Sequence, residues 1–129
     1  MVMICVENIQ LLIERNREDV DALDLIEDCL NSFDEYHAKI YRMETWSKLY
    51  GYHNMSKDDY QSQYAALDRS RTISHNTVIG SIGILNRLCK QRGIPLVYEG
   101  IVSEDRQHRI ALADAVLAYV ESVVANRVR

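Results

Sequence analysis

Arg71 and His75 stand four residues apart in a stripe that is otherwise apolar, and a guanidinium beside an imidazole could hold an anion and exchange a proton with it. Turning about 100° per residue from Leu67, as an α-helix does, puts Tyr60, Tyr64, Leu67, Val78, Ile82, Leu85 and Cys89 on one narrow face. Arg71 and His75 fall at the centre of that face. Burying either group unpaired is costly, so both need partners.

The neighbouring elements suggest where those partners come from. Two long helices joined by a short turn pack as an antiparallel hairpin. Level residues across that pair then sum to about 107, which sets Asp34 and His37 near Arg71 and His75. If the last helix also runs antiparallel to the third, Asn86 lies near Arg106 and Arg109, with Tyr98 and Glu99 arriving from the connector. Two polar layers result, one of Asp34, His37, Arg71 and His75 within the bundle and one of Asn86, Tyr98, Arg106 and Arg109 near its end. Arg71, His75, Asn86, Tyr98, Arg106 and Arg109 are the candidate ligand-binding residues, and Asp34 and His37 are candidate members of an internal network. Each layer has two readings: a hydrogen-bonded and ionic network that fixes helix register, or a pocket for a small anion.

Other chemistries lack a complete set of residues. Asp34-x-x-His37 and Asp105-x-x-His108 have metal-ligand spacing, but a di-metal bundle uses Glu-x-x-His twice plus two further Glu. Both carboxylates here are the shorter Asp, so no metal site is assigned and no cofactor is expected. There is no Gly-x-Ser-x-Gly and no Cys beside a His. Gly80 and Gly83 lie inside a helix, without the strand and Lys of a phosphate loop. Their expected purpose is close approach of a neighbouring helix. Nothing completes a catalytic constellation, and the sequence leans away from an enzyme.

Four helical segments must position these residues. The first covers 3–15. The second spans 17–50, with Asn16 as its N-cap, Asp19 three residues on, and an apolar face of Ala22, Ile26, Cys29, Phe33, Tyr36, Ile40 and Met43. After a turn at 51–55, Ser56 caps a third helix that runs to Arg92 and stops at Gly93. Residues 70–77, rich in Ser, Thr and Asn, are its weak point. Trp46 and the tyrosines at 50, 52, 60 and 64 crowd the turn and are read as closing the bundle end. Residues 94–102 form an extended connector containing Pro95. Ser103 caps a last helix, 104–127, that is apolar almost all round except along Gln107, Asp114 and Glu121. The expected fold is all-α, a four-helix bundle-like single domain over 1–129.

The chain's 129 residues suffice for one sizeable core, and the 47% hydrophobic and 26% charged composition suits a soluble globular protein. Residues 1–68 carry 6 Lys/Arg against 14 Asp/Glu, and residues 69–129 carry 9 against 5. The halves complement each other inside one fold, and the net charge of −4 disfavours a nucleic-acid partner. Three scattered cysteines (Cys5, Cys29, Cys89) point to reduced thiols and a cytoplasmic location. No apolar run approaches the ~20 residues of a membrane span.

Ser74-His75-Asn76, Leu85-Asn86-Arg87, Tyr98-x-Gly100 and Arg106-x-x-Arg109 together resemble a family of small helical bacterial proteins, domain of unknown function 3232. Over residues 68–127 the resemblance implies a bacterial cytoplasmic protein with an all-α fold, and it supplies no reaction. The leading functional expectation is a non-catalytic interaction or regulatory module, a homodimer formed through the wide apolar face of residues 110–124. The alternative, from a different class, is a protein or enzyme that binds a small anionic metabolite through the Arg/His/Asn cluster.

Overall fold

A side-chain cap starts each of the two long helices. Asp19 accepts the backbone N–H of Ala22 at 3.1 Å, and Ser56 Oγ accepts that of Asp59 at 3.1 Å. The computed structural model describes residues 2–49 and 54–128, and among these the helices are α1 (Val6–Arg15), α2 (Val20–Lys48), α3 (Lys57–Arg92) and α4 (Arg106–Val128). The protein is all-α, with α2 and α3 packed side by side as the central pair. Most of the expected turn at 51–55, with Tyr50 and Tyr52, lies outside the described residues.

The cap of α2 is Asp19, not Asn16. Asn16 instead closes α1 and is buried: its Nδ2 donates to the carbonyl of Leu12 at 2.8 Å, and its Oδ1 accepts from Arg92 Nε at 3.0 Å. Asn16 thus belongs to the end of α1, and the residue directly before α2, Asp19, supplies its cap. Helix α3 runs unbroken for 36 residues and ends at Gly93, whose φ of 66° is open to glycine at no steric cost. Within its polar stretch Thr72 and Thr77 turn their hydroxyls onto the carbonyls four residues back, at 3.0 and 3.1 Å, and so are satisfied without leaving the helix.

The core lies where the four helices and the connector meet. Phe33 from α2, Val78, Ile82, Leu85 and Cys89 from α3, and Leu112 and Val116 from α4 are almost completely enclosed. Each large apolar side chain so buried contributes about 1.5–3 kcal/mol. Phe33 meets Tyr119 edge to face at 5.8 Å. The first turns of α3 leave this core: Tyr64 is exposed, and Tyr60 stacks on Trp46 at 5.5 Å. Gly80 and Gly83 are also exposed, and a Cβ at either would meet nothing within 4 Å. The expected close helix approach is therefore absent at both.

Helix α4 runs parallel to α3, and antiparallel to α2. Its start lies beside His75, its middle beside Phe33, and Val123 shares a groove with Leu23 and Ile13 at the opposite end. The connector makes this possible. Residues 93–105 carry neither helix nor strand, and at up to ~3.3 Å per residue they reach far enough to carry the chain back along some 17 residues of helix. The connector is tied down on the way: Cys5 N–H donates to Val97 O at 2.8 Å, and Asn8 Nδ2 to Leu96 O at 2.9 Å.

Candidate functional site

Returning the chain to the level of His75 brings α4's first turns against the polar centre of α3. A cleft of about 560 Å³ opens there, lined by Tyr36 and Ile40 from α2, Arg71 and His75 from α3, and Arg106, Arg109, Ile110, Ala113, Asp114 and Leu117 from α4. That size falls in the range of small-molecule sites. Arg71 and His75, one helical turn apart, present both groups to the same cleft.

His75 is 4% exposed. Its Nε2 faces the backbone carbonyl of Arg109 at 3.4 Å, and since a carbonyl only accepts, Nε2 carries the proton. Nδ1 is buried without a hydrogen-bond partner. The ring meets Tyr36 edge-on, centroids 5.5 Å apart. Burial pushes the imidazole's pKa below its ordinary value; the Arg109 carbonyl opposes this, and the Arg109 and Arg71 charges add to it. His75 is thus the neutral member of a cationic site.

Arg71 is half-buried and held. Its Nε donates to Asp68 at 3.1 Å, and its Nη2 reaches both Asp68 at 3.1 Å and Thr72 Oγ1 at 3.0 Å. Tyr36 lines the same cleft, close enough for the Arg71 charge to act on its hydroxyl. Burial raises the Tyr36 pKa, with Arg71 pulling the other way. Arg106 and Arg109 are different: both are exposed, and among the described residues neither guanidinium has a hydrogen-bonding or ionic partner.

Four of the eight residues singled out in the sequence therefore share one cleft: Arg71, His75, Arg106 and Arg109. Asn86 and Tyr98 lie elsewhere. Asn86 Oδ1 accepts the N–H groups of Val97 at 3.1 Å and Tyr98 at 3.3 Å, and its Nδ2 donates to Tyr98 O at 2.9 Å. These bonds clamp the connector onto α3, and Tyr98 is 1% exposed. Asp34 sits at the right level but the wrong azimuth. It precedes Tyr36 by two residues, about 200° around the helix, and is exposed beside a different groove with Leu30 and Tyr119. His37 pairs with Glu121 at 3.7 Å instead. The residues that share the cleft with Arg71 and His75 are Tyr36, expected on the apolar face of α2, and Asp114, expected on the outward line of α4. Tyr36's spacing with Phe33 and Ile40 pointed it inward; its hydroxyl was the missed signal.

Ser103, Asp105 and His108 look like a hydrolytic triad in composition only. Ser103 Oγ lies 2.7 Å from His108 Nδ1, and Asp105 approaches the same nitrogen at 3.9 Å. A triad needs serine and acid on opposite nitrogens. Ser103 Oγ also accepts the N–H of Asp105 at 3.3 Å, which makes this a cap just before α4. Cys29 and Cys89 are buried and their thiols are pushed up in pKa by that burial, which keeps them protonated and unreactive. Among the described residues, no group of three or more His, Cys, Asp or Glu could hold a metal, and no helix is long and apolar enough to cross a membrane.

The fold and cleft define a small helical bundle with a cation-lined site between three of its helices. Residues 3–129 match the family described as protein of unknown function (DUF3232), and the chain belongs to that family. No curated protein and no solved structure matches it.

Proposed function

We propose that the protein is a non-catalytic binding module for a small anion held in the cleft between α2, α3 and α4. Two unpaired guanidiniums, Arg106 and Arg109, beside the anchored Arg71 and the enclosed imidazole of His75 are the observation that carries this reading. Arginine forks match carboxylate or phosphate oxygens two at a time. Arg71, fixed by Asp68 and Thr72, would cost little ordering on binding. At fixed ionic strength, acetate, citrate or phosphate should raise the melting temperature above that in chloride. Arg109→Gln, at an exposed position, should remove the rise without lowering the melting temperature in chloride. Equal melting in all four salts for the wild-type protein would rule the reading out.

Self-association through α4 is a second reading, favoured by Ile110 at 50% and Val124 at 44% exposure on that helix. It predicts a dimer at micromolar concentration in sedimentation, and a monomer for Ile110→Glu. A wild-type monomer throughout that range refutes it.

A further inference from the structure

The apolar part of the cleft says more about its occupant. On α4, Arg106, Ile110, Ala113 and Leu117 follow one another at helical spacing, so a cation heads an apolar stripe about 10 Å long. Ile40 of α2 lines the cleft opposite this stripe. Arg109 and Arg71 flank its cationic end, and the first turn of α4 adds the positive end of its dipole. The charges also limit the ligand. Three guanidiniums face two carboxylates, Asp114 in the cleft and Asp68 on Arg71, which leaves a single positive charge. His75 is enclosed and contributes a neutral ring, with one buried nitrogen lacking a partner.

Resting on the anion-binding reading, we infer that the ligand is an amphipathic monoanion: a carboxylate held by Arg71, Arg106 and Arg109, with an apolar body lying along Ile110, Ala113, Leu117 and Ile40. A dianion such as a phosphate monoester over-fills the single net charge. A purely polar anion leaves the stripe wet.

Titration calorimetry with acetate, butanoate, hexanoate and octanoate, all below micelle formation and at constant ionic strength, tests this. The dissociation constant should fall about fourfold per added methylene until the stripe is covered, from about 0.8 kcal/mol per buried CH₂. Ile110→Ser should reduce the gain per methylene, because Ile110 supplies part of the stripe and, half exposed, tolerates the change. Arg106→Gln should weaken every member by the same factor. Hexylammonium should not bind, and hexyl phosphate should bind more weakly than hexanoate. A flat series with measurable acetate binding overturns the amphipathic ligand and leaves the anion site standing. No binding by any anion removes both. Tighter binding of hexyl phosphate, or equal binding of hexylammonium, overturns the monoanionic head group.

Discussion

The imidazole of His75 on α3 and the backbone carbonyl of Arg109 on α4 stand 3.4 Å apart, and this contact sets the two helices level at the cleft. It also places the ring proton on Nε2 and leaves Nδ1 buried and unpaired, while burial, not this contact, lowers the imidazole's pKa.

That arrangement gives His75 a signed pH dependence. The unfolded chain binds a proton on this imidazole near its ordinary value of about 6.5, whereas the folded chain, with the group desolvated, binds it only at lower pH. The stability contribution is therefore complete above about pH 6.5 and is lost as pH falls through the folded value. Urea midpoints should decline from about pH 7.5 to about pH 5.5, and His75→Phe should flatten that decline while keeping the ring contact with Tyr36. An unchanged decline in His75→Phe would assign it to other groups.

Asn86 is expected to be structural. Removing its amide strands the N–H groups of Val97 and Tyr98 and the carbonyl of Tyr98 on residues that are almost fully enclosed. Asn86→Ala should cost about 2–3 kcal/mol by urea unfolding. The melting response to anions should persist in the variant at a temperature where it is folded. Loss of that response in a folded variant would return Asn86 to the binding site.

Gly100 has no room for a side chain. A Cβ there collides with the Tyr98 ring, and that ring is too enclosed to swing away. Gly100→Ala should destabilise by about 1–3 kcal/mol. In a double-mutant cycle, Tyr98→Leu should absorb most of that cost. Additive effects would place the strain elsewhere.

The two helical glycines should behave in the opposite way. Gly80 and Gly83 face open space in α3, so alanine there gains helix propensity with nothing to displace. Each substitution should stabilise by about 0.5–1 kcal/mol, read as a higher urea midpoint. A loss of stability in either variant would mean that this face is covered in solution by something absent from the isolated chain.

Helix type and extent could be read locally. The Ser56 cap, the Gly93 stop, the apolar stripe from Val78 to Cys89 and the inward placement of His75 all follow from short-range stereochemistry and the 3.6-residue period. Azimuth across helices could not be read in this way. Level arithmetic put Asp34 opposite Arg71, but rotation about the helix axis gave that place to Tyr36. The direction of α4 was hidden as well, because thirteen connector residues can turn back at once or run the length of the bundle. Asn8, Asn86 and Cys5 decide between these by holding the connector extended. The Asn8 bond spans 88 residues of sequence and the Cys5 bond still more, so no local pattern encodes them. The chain by itself determined its helices and the inward placement of the half-buried Arg71 and the buried His75 in one of them. Only the packed structure decided that Arg106 and Arg109 join Arg71 and His75, because their meeting depends on the path of a segment with no periodicity of its own.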